Sequence, residues 1–116
     1  MDDKKATRKE LQEQYKERKV IGGVYAVRNT RKNKLLVETS TDLQGSKNRF
    51  EFAKATGSCI HTKLYADWAE QGSGDFVYEA LEELDKGDAQ TSEAFKADVE
   101  LLKEMWLEKL SGSELY

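Results

Sequence analysis

The 116-residue chain contains no proline, one cysteine and one histidine. Because the strongest helix breaker is missing, glycines and polar caps must mark where helices and strands end. The single cysteine, Cys59, excludes an intramolecular disulfide and favours a reducing compartment. No apolar run approaches the roughly 20 residues of a membrane-spanning helix, and the charged amino terminus does not resemble a signal peptide. We therefore expect a cytoplasmic protein with no membrane partner.

Several kinds of site are also missing from the sequence. Cys59 and His61 form a Cys-x-His pair, but a structural zinc site needs four ligands and there is no second pair. There is no serine or cysteine triad, no phosphate-binding glycine loop and no dinucleotide fingerprint. We interpret His61 as a residue at a helix N-terminus and Cys59 as a small buried side chain.

What is present fits one compact and rather polar domain. Hydrophobic residues make up 38% of the chain and charged residues 35%, and the length suits a single core. The net charge of −3 hides an asymmetry, since residues 1–54 carry 14 basic and 8 acidic side chains (+6) while residues 55–116 carry 5 and 14 (−9). A basic face that attracts nucleic acid phosphates is one interpretation, and ordinary solvated helices are the other.

The apolar pattern predicts short strands between helices. In chain order it indicates a charged helix over residues 3–19, strands at 24–27, 35–37 and 76–81, and helices carried by apolar positions within 43–53, 60–68 and 95–110. Gly22-Gly23 is expected to end the first helix, and residues 82–90 to form an acidic loop.

This order favours an α+β fold, with a small three-stranded mixed or antiparallel sheet flanked by helices and an extra N-terminal helix. We expect an N-terminal charged helix (1–21), the α+β domain (22–111) and a short tail (112–116).

Several segments resemble the motifs of the GIY-YIG nuclease family, in that family's order. Gly23-Val24-Tyr25 is similar to its first triplet, residues 34–40 to its second-strand segment, and residues 106–110 to the end of its last core helix. The resemblance spans residues 23–110. It implies a three-stranded sheet flanked by helices.

The resemblance also implies a reaction, the hydrolysis of a DNA phosphodiester. The family uses a metal ion held by a glutamate, an arginine near the phosphate and tyrosines that position water. Tyr25 matches, whereas Leu36 stands in place of the second tyrosine, Glu38 in place of a glycine and Ser46 in place of the arginine. Arg49, one helical turn beyond Ser46, is the candidate substitute.

The metal ligand departs from the family in the same way. Aligning residues 106–110 places Lys103 at the family's glutamate, and a lysine does not bind a cation. A shift of one position would place Glu104 there instead, as a ligand for Mg²⁺ or Mn²⁺. The alternative for this glutamate is a solvated helix face.

Three interpretations follow. The first is a divergent nuclease-like domain without normal cleavage, serving as an interaction module that touches DNA through six basic residues: Arg28, Arg31, Lys32, Lys34, Lys47 and Arg49. The second is an active endonuclease that uses Tyr25, Arg49 and Glu104 with a divalent cation. The third is a protein-binding domain with no nucleic acid role.

Overall fold

The computed structural model describes residues 20–59, 61–87 and 89–116. The charged helix predicted over 3–19 lies outside these residues. The strands are β1 (Ile21–Asn29), β2 (Lys34–Ser40), β3 (Phe76–Asp85) and β4 (Glu114–Leu115), and the helices are α1 (Leu43–Thr56), α2 (Tyr65–Gln71) and α3 (Ser92–Lys109). Short 3₁₀ turns precede α2 and β3. The α+β class is therefore confirmed.

The sheet has the strand order β3-β1-β2-β4, with β1 antiparallel to both neighbours and β4 parallel to β2. The prediction of three strands is wrong, because the segment expected as a short tail contributes the fourth. Two residues are too few to show an alternating pattern, so this strand has no sequence signal of its own. A hydrogen bond from the Tyr116 amide to the Leu35 carbonyl, 2.8 Å long, fixes the tail to β2.

Two strands extend further than the sequence indicated. Gly22 and Gly23 lie inside β1 rather than before it, and β3 continues through the predicted acidic loop to Asp85. The ladder between β1 and β3 pairs these segments, so backbone pairing outweighs the low strand propensity of glycine and acidic residues.

Gly23 is required by a close approach between these two strands. Its φ is 150°, and a Cβ added there would lie 2.0 Å from the Glu82 carbonyl oxygen. The pairing register shifts directly afterwards, between Val24 and Tyr25. The first residue of the triplet therefore lies one residue before a bulge, at a close approach of the two strands that only glycine accommodates.

The helices lie on both faces of the sheet. On one face, α1 and α2 cover a core cluster formed by Tyr25, Val27, Leu36, Leu43, Phe50, Leu64, Trp68 and Phe76. On the other face, α3 packs on β1 and β2 through the buried side chains of Phe95 and Val99. No helix of the described residues is long and apolar enough to cross a membrane.

The helix ends follow their caps. The Asp42 carboxylate accepts from the Gly45 amide at the start of α1, and the Thr91 hydroxyl accepts from the Ala94 amide at the start of α3. The helix expected around 60–68 is shorter than predicted, because residues 62–64 form a 3₁₀ turn and α2 begins at Tyr65. It ends at Gln71, and Gly72 is its C-terminal cap.

Candidate functional site

Tyr25 lies on β1 and stacks on Tyr78 of β3, with ring centroids 4.8 Å apart and an angle of 18° between the ring planes. In the ladder Tyr25 is opposite Ala80 and Tyr78 is opposite Val27, so the two tyrosines are diagonal neighbours on one face. The Tyr78 hydroxyl donates to the Leu43 carbonyl oxygen over 3.2 Å. Sequence reasoning placed Tyr78 on the right strand but not in the site, because the diagonal contact depends on the register.

His61 is a second residue that sequence reasoning missed. It comes directly before the 3₁₀ turn that leads into α2, and its Nε2 atom lies 3.4 Å from the Tyr25 hydroxyl. Burial lowers the pKa of His61, while the Glu38 carboxylate opposes that shift. The imidazole is therefore neutral near pH 7 and can accept the phenol proton in a hydrogen bond.

The phenol of Tyr25 is held in its neutral form. Burial, assisted by the negative charge of Glu38, raises the pKa of Tyr25 to about 12, and the positive charge of Arg49 lowers it in part. The side chain is only 7% exposed. At neutral pH, Tyr25 is thus a hydrogen-bond donor and not an ionised base.

The charge of Arg49 acts on both tyrosines, since it also lowers the pKa of Tyr78 against the larger effect of burial. It is exposed on α1, and its guanidinium donates to the Ser46 hydroxyl over 3.2 Å. Ser46 itself is buried and hydrogen-bonded to Ser40. Ser46, which stands where the resemblance implies an arginine, therefore orients Arg49, one helical turn further along α1.

The end of β2 meets α3 through polar contacts. Glu38 pairs with Tyr25 in the β1–β2 ladder, and its Oε2 atom is 4.0 Å from the Lys103 Nζ atom. The next residue, Thr39, donates to the Glu100 carboxylate over 2.9 Å. Glu104 is exposed on α3, beyond the residues that face β2.

The carboxylates near Tyr25 are poorly placed for a divalent metal ion. Proteins hold Mg²⁺ through one or two carboxylates, with waters or substrate oxygens filling the remaining positions. The ranges that the structure describes contain no group of three or more His, Cys, Asp or Glu side chains placed to hold a metal ion. The carboxylate beside Tyr25, that of Glu38, already faces an ammonium group.

Three basic side chains around the β1–β2 turn form ion pairs. Arg28 makes two bonds of 2.7 and 3.2 Å to the Glu79 carboxylate. The Arg31 Nε atom lies 3.1 Å from an Asp75 oxygen, and the Lys32 Nζ atom lies 2.6 Å from an Asp67 oxygen. Both basic side chains remain exposed in these ion pairs. The positive charge predicted for a DNA contact is partly neutralised here.

The other three predicted contacts differ in their surroundings. The Lys34 ammonium lies 4.5 Å from the centre of the Tyr116 ring, a cation–π contact. Lys47 and Arg49 are exposed on α1, and among the residues described neither has a carboxylate within 4.0 Å. Among the residues described, the predicted contacts without a carboxylate within 4.0 Å are therefore Lys34 on β2 and Lys47 and Arg49 on α1.

A buried amide holds the β1–β2 turn. Asn29 is fully buried, and its Nδ2 atom donates to the Gln71 Oε1 atom over 2.7 Å and to the Tyr116 hydroxyl over 2.8 Å. Its Oδ1 atom accepts from the backbone amides of Arg31 and Lys32. The turn is thereby fixed to α2 and to the carboxyl-terminal segment.

Two solved structures share this arrangement of strands and helices. A mutant of the catalytic domain of the intron endonuclease I-TevI is 22% identical, with a TM-score of 0.57, and the match covers 79% of this chain and 86% of that one. The chain has a GIY-YIG-like fold. A second structure, of the catalytic domain of the homing endonuclease I-TevI, is 20% identical with a TM-score of 0.50, covering 78% of this chain and 88% of that one.

The likeness to I-TevI is one of fold. No protein-family model matches the chain, and no curated protein matches it either. The GIY-YIG-like domain is thus nuclease-like in architecture, and the chemistry of its site follows from its own residues.

Proposed function

We propose that this GIY-YIG-like domain binds DNA at the face formed by α1 and Tyr25, as an interaction module that lacks the normal cleavage reaction. The observation that carries the proposal is the position of Arg49. Its guanidinium is exposed on α1, donates to the uncharged Ser46 hydroxyl, and acts electrostatically on Tyr25 and Tyr78. An exposed guanidinium with no carboxylate within 4.0 Å among the residues described is a suitable partner for a phosphate oxygen.

The loss of normal cleavage is supported by what stands where the resemblance implies catalytic groups. Leu36 is 2% exposed and belongs to the apolar core, so it brings no hydroxyl to the site. Tyr25 is neutral and largely buried, which suits hydrogen bonding better than removal of a proton from water. The carboxylates of the site do not form a metal cluster, as described above.

DNA binding is tested by fluorescence anisotropy of a labelled duplex at about 50 mM salt, where phosphate contacts are strongest. Arg49→Ala and Lys47→Ala are each expected to weaken binding and to reduce its salt dependence by about one counterion. Lys96→Ala is the matched control, because Lys96 is an exposed lysine on α3, which packs on the opposite face of the sheet. Equal losses for all three variants would contradict the proposed face.

Cleavage is tested separately, by nicking of a supercoiled plasmid with Mg²⁺ or Mn²⁺. We expect no nicking above the level of a protein-free control. Metal-dependent nicking that disappears in Tyr25→Phe and Arg49→Ala would establish the second candidate, an endonuclease. The observation that favours that candidate is the contact of 3.4 Å between the Tyr25 hydroxyl and the His61 Nε2 atom.

A third candidate, a protein-binding domain, is favoured by exposed apolar side chains. Phe52 is 70% exposed on α1 and Leu101 is 57% exposed on α3. If DNA binding is undetectable at about 50 mM salt, this candidate replaces the first.

A further inference from the structure

We propose that Lys103 replaces a divalent cation at this site, as a positive charge that belongs to the fold. The domain then binds a phosphodiester without any metal. This inference deepens the proposed function. The part of the inference that concerns phosphate binding rests on that proposed function. The part that concerns the metal can be tested without DNA.

The geometry places the Lys103 ammonium at the edge of the tyrosine cluster. Its Nζ atom is 4.0 Å from the Glu38 Oε2 atom, and Glu38 is the ladder partner of Tyr25. The Glu38 carboxylate also acts electrostatically on Tyr25 and on His61. Through its charge, Glu38 therefore connects Lys103 of α3 with Tyr25 and His61 on the other side of the sheet edge.

Both charged residues are departures from the family pattern, and Lys103 is the one that concerns its metal. By the resemblance, Lys103 stands where the metal-binding glutamate is expected and Glu38 where a glycine is expected. The structure shows that these two positions, which are 65 residues apart in the sequence, face each other. Compared with the pattern that the resemblance implies, the helix carries a cation in place of a carboxylate, and the strand carries a carboxylate in place of a glycine. The two charges therefore attract each other across the site.

The charge balance explains why the lysine matters for phosphate. The Glu38 carboxylate would repel a phosphate approaching Tyr25, and the Lys103 ammonium offsets that negative charge without a metal. Both members of the pair are partly exposed, at 28% for the lysine side chain and 32% for the glutamate. An ion pair of this exposure is weak and readily rearranged, which leaves the ammonium able to turn toward an anion.

A divalent cation would compete with the lysine for Glu38. Binding it requires the ammonium to leave, and the nearby Glu100 carboxylate already accepts a hydrogen bond from Thr39. Changing the lysine to a carboxylate should reverse this situation, because the new side chain would face Glu38 where the ammonium now lies. Two carboxylates at close range repel each other unless a cation binds between them.

The test is Mn²⁺ binding to the purified domain, measured by titration calorimetry and by the change in melting temperature. Lys103→Glu is expected to bind Mn²⁺ at least tenfold more tightly than the wild type, and to gain about 5 °C or more in saturating Mn²⁺. Lys96→Glu is the matched control, since it makes the same charge change on the same helix away from Glu38. It should behave like the wild type.

Two results would overturn the inference. One is a wild-type Mn²⁺ site that Glu38→Gln removes, and the other is a folded Lys103→Glu variant with no gain in Mn²⁺ affinity. If that variant does not fold, Lys103→Gln decides the matter through DNA binding. It should weaken binding about tenfold in EDTA, whereas an unchanged affinity would refute a phosphate role for the lysine.

The DNA measurements keep the two proposals apart. Wild-type binding should be the same in EDTA and in Mg²⁺ at matched ionic strength, and a requirement for Mg²⁺ would contradict the inference while leaving DNA binding intact. If the wild type binds no DNA, the proposed function fails, and the Mn²⁺ comparison still determines whether Lys103 occupies the place of a cation.

Discussion

Alkaline pH should destabilise the domain through Tyr25. Burial raises the pKa of this phenol to about 12, from a value of about 10 in an unfolded chain. Because the folded pKa is the higher one, the stabilisation is fully present below about pH 10 and is lost as the pH rises toward 12. At about pH 11 the difference amounts to roughly one pKa unit, or about 1.4 kcal/mol of unfolding free energy.

The assay is urea-induced unfolding of the wild type and of Tyr25→Phe at about pH 9 and about pH 11. Tyr78 and Tyr116 also have raised pKa values, so both proteins lose stability, and the Tyr25 effect is the difference between their losses. We expect the wild type to lose about 1.4 kcal/mol more than the variant. Equal losses would refute the conclusion that this phenol is held neutral by burial.

Three further changes have definite expected outcomes. Since burial lowers the pKa of His61, unfolding free energy should fall as the pH drops below about 6.5, and His61→Gln should flatten that slope in urea unfolding at about pH 7 and pH 5. Gly23→Ala should cost about 3 kcal/mol, seen as a lower melting temperature, because its Cβ would collide with the Glu82 carbonyl; unchanged melting would contradict this close approach. Asn29→Ala should cost about 2–3 kcal/mol in the same assay by leaving buried partners unpaired, whereas exposed Asn48→Ala should cost less than about 0.5 kcal/mol.

The sequence contained most of the fold because the main elements carry local signals. The strand around Tyr25, the cap at Asp42 and the apolar face of α3 are each visible in short windows of sequence. The extension of β3 and the existence of β4 have no such signal. Both depend on backbone pairing with distant strands, which satisfies hydrogen bonds whatever the side-chain propensity.

The site was less accessible to sequence reasoning than the fold. Tyr25 could be named from a motif position and Arg49 as a substitute one helical turn beyond Ser46, and the charge of Arg49 acts on the pKa of Tyr25. His61 was set aside with Cys59 because a zinc site needs a second pair of ligands, and the sequence gives no indication of its contact with a residue 36 positions away. The pairing of Glu38 with Lys103 likewise appears only when the sheet edge and α3 are placed together.

The hydrogen bond between Asn29 and Tyr116 joins two places that are 87 positions apart in the chain. A deletion that removes the last residues would take away the phenol that both Asn29 and Asp67 contact, and so would loosen the basic turn beside β1. Truncation experiments that measure DNA affinity would then show a loss of affinity that comes from the loosened turn and not from a deleted DNA contact. The hydroxyl-free substitution Tyr116→Phe, which keeps the ring under Lys34, separates that remote effect from a direct role of the deleted segment.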